Sequence, residues 1–421
     1  MYQIRDMKAI LEIFLDLHGN FLADFFRLCF FPGYCIIPIQ ILLISVCRYS
    51  WMYKEKTMKK FTRKYKYISQ PGTVSSRWFG GLTPCVYDIE TTGLSKETNK
   101  IILTAMLIPV SDGVEITQFL AEDPFEESRV LEATIQHLMS MEVDYLITYN
   151  GASFDIPFTQ TRLDRTRLPL SISYYDLDLY RFLRNYSVLP SEIDSLSQKS
   201  VESFFGIGGD RRDVITGRES VRLYQEYTRD GSPVKEKIIL THNREDVLQL
   251  YRLTEIMMAE DFYSVLRDPL DFEKALGEFG LPAASGLLSV KPQPKKNVLR
   301  IVGRQHGGRL INNDEEGLFS GVKFPVDTQD IKGEFRKKTA DFTAEIPLMS
   351  KGSSSFVDLS LLQASDEDME RFSGLSGYVN GYLLLTENGT EKNREINSLS
   401  VWASEKLRRD LFTVQDKQEL R

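Results

Sequence analysis

The stretch Val86-Tyr87-Asp88-Ile89-Glu90-Thr91-Thr92-Gly93-Leu94 decides how this chain is read. It reads as a β-strand, and Thr91-Thr92-Gly93 ends it in a turn where backbone can approach a ligand closely. Side chains alternate across a strand, so Asp88 and Glu90 point to one face. Two like charges there repel unless a cation sits between them. Carboxylate oxygens suit hard cations such as Mg²⁺ or Mn²⁺. An Asp-x-Glu pair standing alone is as readily a solvated strand edge.

Two later segments change that balance. One is Ile147-Thr148-Tyr149-Asn150-Gly151-Ala152-Ser153-Phe154-Asp155-Ile156-Pro157-Phe158, and the other is Thr241-His242-Asn243-Arg244-Glu245-Asp246-Val247. Together they give Asp, Glu, Asp, Asp in order: on a strand, after a strand and in a late helix. The pattern resembles the DEDD superfamily of two-metal 3′→5′ exonucleases, which have the RNase H-like fold. Asp-x-Glu-Thr-Thr-Gly-Leu is similar to the first motif of that superfamily, and Tyr-Asn-x₃-Phe-Asp-x-Pro to the second. Within the superfamily the chain resembles the bacterial YprB-type RNase H-like proteins, whose third motif reads His/Tyr-Asn-x-x-Asp. Leu196–Glu202, Phe205-Gly206-Ile207 and Asp213–Gly217 resemble the same group. The resemblance covers roughly residues 80–260.

The resemblance implies a metal-dependent 3′→5′ exonuclease. Phosphodiester hydrolysis builds charge on the attacking and the leaving oxygen, and two divalent ions roughly 3.5–4 Å apart stabilise both. By the motif match, Asp88, Glu90, Asp155 and Asp246 are the expected metal ligands for two Mg²⁺ or Mn²⁺ ions. Asp88 is expected to bridge them, and Asp155 to reach the second directly or through water. His242 departs from the pattern. Members with a catalytic His place it five residues before the last Asp, here Thr241, whereas members with a Tyr place it four before, where His242 stands. One helical turn separates His242 from Asp246, so both can face the metals, and a neutral imidazole can orient or deprotonate water. A His that only hydrogen-bonds a neighbour is the alternative. Thr91, Leu94 and Asn150 are candidate substrate contacts. Leu94 either wedges against the terminal base or belongs to the core, and Asn150 either braces its loop or bonds a nucleotide, or is simply a turn residue before Gly151. Asp176 reads as a solvated acid, Asp178 as a polar group near the site, and Tyr174 and Tyr175 as buried in the sheet. The expected partner is DNA or RNA with a free 3′ end. An RNase H-like nucleic-acid-binding module without turnover is the alternative, although a protein without turnover has no chemical reason to keep four acids.

At 421 residues there is room for two domains with sizeable cores. The net charge of −7 argues against a broad nucleic-acid-coating surface but allows a local basic groove. Four cysteines without a Cys-x-x-Cys pair suggest neither zinc nor a disulfide framework, and a reducing cytoplasm suits them. The chain divides into an N-terminal extension (1–66), an RNase H-like α/β domain with a mixed sheet flanked by helices (67–265), and a smaller β-rich accessory region (270–421). The extension holds an apolar run, Cys35–Cys47, followed by Arg48, Lys54, Lys56, Lys59, Lys60, Arg63, Lys64 and Lys66. Three readings stand: a start-site artefact with translation from Met58, a membrane anchor, or a packed extension. Strands are expected at Cys85–Glu90, Ile101–Ile108, Val114–Phe119, Tyr145–Tyr149 and Ile172–Tyr175, with a helix over Glu126–Met139. Beyond residue 270, Ser289–Asn297 reads as a linker-like or turn-rich run, residues 340–346 and 378–385 as strands, and Val401–Leu411 as an amphipathic helix.

Overall fold

The computed structural model describes residues 30–31, 34–35, 58–67, 73–212, 215–257, 265–268, 272–306, 332–336 and 341–419. It forms two compact units, residues 1–56 and 57–421. In the first, Phe30–Phe31 pairs antiparallel with Tyr34–Cys35. The rest of the expected extension up to residue 57, its apolar run included, lies outside the described residues. Among the described residues, no helix is long and apolar enough to cross a membrane.

The second unit is built on a six-stranded mixed sheet. Its strands are β1 (Lys59–Tyr65), β2 (Pro84–Thr91), β3 (Ile101–Val110), β4 (Gly113–Leu120), β5 (Tyr145–Thr148) and β6 (Tyr175–Asp178), in the order β1-β4-β3-β2-β5-β6. The first four pair antiparallel, while β2-β5 and β5-β6 are parallel. Strand β3 is buried from Ile101 to Ile108 because both faces of the sheet are covered. Strand β2 divides its side chains between two cores. Val86 joins Ile147, Leu177 and Val247 on one side. Cys85, Tyr87 and Ile89 join Val130, Leu131, Phe158 and Leu163 on the other. By alternation Asp88 and Glu90 share the face of Val86, the face against which a long helix (Pro233–Met257) packs. The opposite face carries the helices Glu127–Ser140 and Asp155–Thr166.

Two expectations need correction here. The sheet begins upstream of the expected boundary at residue 67. The lysine-rich run after Met58 is an edge strand, registered from Lys59 opposite Leu120 to Tyr65 opposite Val114. Its charges suit an edge, where they discourage pairing with another chain. Lys59 is further tied to Glu236 at 2.6 Å and Glu122 at 2.8 Å. The last strand is Tyr175–Asp178 rather than Ile172–Tyr175. Pairing of Tyr145 with Tyr175 and Thr148 with Asp178 fixes that register, which sends Tyr175 and Leu177 into the core.

The β-rich C-terminal region contains two antiparallel sheets. The first has the strands Lys332–Arg336, Asp341–Pro347, Val298–Gln305, Leu288–Lys295 and Leu281–Ala283 in spatial order. Ser289–Asn297 is therefore no linker, since most of it is one arm of a hairpin with Val298–Gln305. Its prolines misled the reading. Leu281–Ala283 pairs only with Leu288–Val290, so at Pro292 and Pro294 the strand is an edge, where proline is tolerated. In the second sheet the expected strand over 378–385 is a hairpin of Tyr378–Val379 with Tyr382–Glu387. It turns at Asn380 (φ 49°) and Gly381 (φ 87°), the left-handed pair that a two-residue hairpin needs. The closing helix runs from Asn393 to Glu419, well beyond Val401–Leu411. Its Trp402 is fully buried beside Phe372. One continuous apolar cluster extends from Val86 to Trp402, so this region shares a core with the mixed sheet.

Candidate active site

The acids converge where β2 runs on past β5 while still paired with β3. Beyond Val86, β2 has no pairing with β5, whose last residue is Thr148. The chain after β5 turns through Asn150 (φ 67°) and starts the helix Asp155–Thr166. The Asp155 carboxylate takes over as acceptor for the amide of Ile89, at 3.1 Å, and so is fixed beside the strand. The long helix brings His242, Asn243 and Asp246 from the other side. His242 Nε2 lies 3.6 Å from Glu90 Oε1 and 3.7 Å from Asp246 Oδ2. One ligand atom from each of Glu90, His242 and Asp246 falls within 4.8 Å of the others.

Electrostatics marks the same place. Burial, then Asp155, Asp246 and Glu90, push the Asp88 carboxyl well above the usual range. Burial pushes Glu90 up to about 7, with Asp246 adding to the rise and His242 opposing it. Burial likewise pushes Asp155 up to about 7, against the hydrogen bond from Ile89. Such a group of acids resists shedding its protons until positive charge arrives. A set of carboxylate oxygens with one imidazole suits a divalent cation, oxygen donors being the ligands of Mg²⁺ and Mn²⁺. These residues therefore fit a divalent cation.

Further groups hold the acids in place. Asn243, fully buried, donates to Asp88 Oδ2 at 2.6 Å and accepts from Gln118 Nε2 at 2.8 Å. Arg211 pairs with Asp246 Oδ1, and its Nη1 lies 2.8 Å from both oxygens of Glu202. Gln198 donates to the main-chain carbonyl of Asp246 at 2.9 Å. Asn243 and Glu202 lie inside stretches already singled out in the sequence. Gln118 and Arg211 carry no local signal, because their partners are distant in the chain.

The candidate substrate contacts fare unequally. Thr91 is buried and its hydroxyl donates to the carbonyl of Gly93 at 2.7 Å, so it shapes the turn. Leu94 stands 87% exposed, which rules out the core alternative. The Asn150 amide donates to Asp178 Oδ1 at 2.9 Å, and that of Ala152 to Asp178 Oδ2 at 3.2 Å. Asp178 thereby braces the loop leading to Asp155. Asp176 is not the solvated acid expected. Burial and the nearby Asp178 push it up to about 8, and Thr148 donates to its Oδ1 at 2.8 Å. Tyr175 is buried as expected, its hydroxyl donating to the carbonyl of Gly280. The Leu94 loop is anchored from below. Arg162 forms a buried pair with Glu127 (2.6 Å) and also donates to the carbonyls of Lys96 and Glu97.

The mixed sheet with helices on both faces is an RNase H-like fold. Residues 85–258 match the sequence profile of the RNase H superfamily, a nuclease superfamily whose members generally use divalent metals. The chain is 29% identical over 206 residues to the uncharacterized protein YprB of Bacillus subtilis (strain 168), a match covering 48% of each. The likeness thus spans about half the length of that curated relative. A solved structure of the family B DNA polymerase from the archaeon Pyrobaculum calidifontis is similar at 16% identity. That match covers 48% of this chain and 29% of the polymerase, with a TM-score of 0.35.

Proposed function

We propose that this protein is a metal-dependent 3′→5′ exonuclease of the DEDD type, acting on DNA or RNA with a free 3′ end. The observation that carries the reading is the meeting of Glu90, His242 and Asp246 within 4.8 Å, with Asp88 and a buried Asp155 on the neighbouring strand and helix. Asp88, Glu90, Asp155 and Asp246 are the residues that would hold two Mg²⁺ or Mn²⁺ ions, with His242 as a further donor or as the base. When bound, such ions activate water and stabilise the charge that builds on the phosphodiester oxygens. The chain's own part is positional. Asn243 keeps Asp88 turned to the site, and the Ile89 amide fixes Asp155. His242 presents Nε2 between two carboxylates, where it can take a proton from water or stay a neutral donor. Leu94, exposed just beyond β2, would be the residue to meet the terminal base, while Thr91 shapes its own turn and Asn150 the loop after β5. The free thiol of Cys85 suits a reducing, cytoplasmic setting.

The test is digestion of 5′-labelled single-stranded DNA, duplex DNA and RNA by the purified full chain in Mg²⁺, Mn²⁺ or EDTA. Stepwise shortening from the 3′ end, dependent on the cation, supports the reading. Binding of the strands without any shortening in either cation would replace it with a nucleic-acid-binding module.

A further inference from the structure

Arg211 is a cation inside a pocket of acids, and the chain is shaped to put it there. It follows Gly206 (φ 68°) and Gly208 (φ 80°), two left-handed residues, and its amide donates to the carbonyl of Gly208 at 3.0 Å. That turn directs the side chain back toward the helix carrying Asp246. The positive φ of Gly208 favours glycine, and a β-carbon there would also press on Glu202 Oε2 at 2.9 Å. The Arg211 side chain is 10% exposed, that of Glu202 1% and that of Asp246 20%.

The two carboxylates on Arg211 differ in kind. Asp246 belongs to the group of ligand atoms with Glu90 and His242, whereas Glu202 does not. Glu202 is also held by Gln198 Nε2, at 2.8 Å. Arg211 takes Asp246 by Oδ1, and the other oxygen, Oδ2, faces His242. A divalent cation among Glu90, His242 and Asp246 would thus share one carboxylate with a guanidinium. Two positive charges on the same carboxylate repel, the more so where Arg211 is largely shielded from solvent.

We propose that Arg211 is a built-in counter-ion that competes with divalent cations for Asp246, with Glu202 as its second anchor. The inference rests on the cation-binding reading of the site and concerns how that site is regulated. In the cation-free protein Arg211 offsets repulsion among the acids. When a cation arrives, the guanidinium loosens from Asp246 and stays on Glu202. Cation affinity is then set by an exchange of partners and is weaker than the bare acids would give.

The experiment is calorimetric titration of Mn²⁺ into the full chain, comparing the native protein with Arg211→Gln and Arg211→Lys. Arg211→Gln should bind Mn²⁺ on the order of 10-fold more tightly, the value of roughly one broken charge-assisted contact. Arg211→Lys, which keeps the charge, should stay near the native affinity. In EDTA, Arg211→Gln should unfold at lower urea than the native protein, and Mn²⁺ should close that gap. Unchanged or weaker Mn²⁺ binding by Arg211→Gln overturns the proposal and makes Arg211 a brace for Asp246. No Mn²⁺ binding by either the native protein or Arg211→Gln overturns the cation site itself, and the proposal with it.

Discussion

Replacing Glu90 by Gln should make the cation-free protein more stable at pH 8, although it removes a motif residue. Glu90 is buried, and its carboxyl is pushed from an ordinary 4.5 up to about 7. A raised carboxyl binds its proton more tightly in the folded than in the unfolded chain. Its contribution is therefore fully present below pH 4.5 and is lost as pH rises to about 7. The gap between those values corresponds to about 3 kcal/mol, at ~1.4 kcal/mol per tenfold change in proton affinity. A Gln has the same shape and never ionises. Relief of Asp88, which Glu90 also pushes upward, acts in the same direction. The assay is urea unfolding in EDTA at pH 5 and pH 8. The native protein should lose stability between the two, and Glu90→Gln should lose about 2–3 kcal/mol less, because part of the change falls below pH 5. Mn²⁺ at pH 8 should rescue the native protein far more than the variant. If Glu90→Gln follows the native pH dependence within error, Glu90 is not the strained acid described above.

Asp88→Asn should abolish strand shortening while leaving the circular dichroism spectrum unchanged, since an amide keeps the Asn243 contact but not the charge. Near-native activity in Mg²⁺ or Mn²⁺ would remove Asp88 from the site. His242→Ala should lower turnover roughly 10²–10⁴-fold and, because Nε2 lies between two ligand carboxylates, should also weaken Mn²⁺ binding in calorimetry. Lost turnover with unchanged Mn²⁺ affinity would give His242 a proton-transfer role alone. Glu127→Ala should cost about 3–5 kcal/mol in urea unfolding, because it leaves Arg162 buried without its carboxylate. A loss below ~1 kcal/mol would show that water reaches the guanidinium.

The sequence announced the fold wherever a signal was local. Alternation placed Asp88 and Glu90 on one face, and helical spacing found Val130, Leu131, Ile135 and Leu138, all buried. The four acids and His242 were named from motifs, and the structure brings them to one end of β2. Failures came where long-range pairing overrides local composition. Pro292 and Pro294 look like linker residues until their strand is seen to be a sheet edge. The lysines after Met58 look like flanking charge until β4 supplies a partner strand. Asp176 looks solvated until Thr148 and β5 close over it. Arg211 could not be found from its neighbours in sequence, since its meaning comes from Asp246, 35 positions away.

The Gln118–Asn243–Asp88 relay has a consequence for how the protein is born. Asp88 and Asn243 are 155 positions apart, and Gln118 and Asn243 are 125 apart. Contacts this distant form late, because much chain must be ordered before they close. A nascent chain ending before Pro233 holds the strand acids but lacks Asn243, His242 and Asp246. Its Asp88 and Glu90 then have neither brace nor imidazole. Until the long helix is made, the chain therefore cannot assemble the group of Glu90, His242 and Asp246 at all.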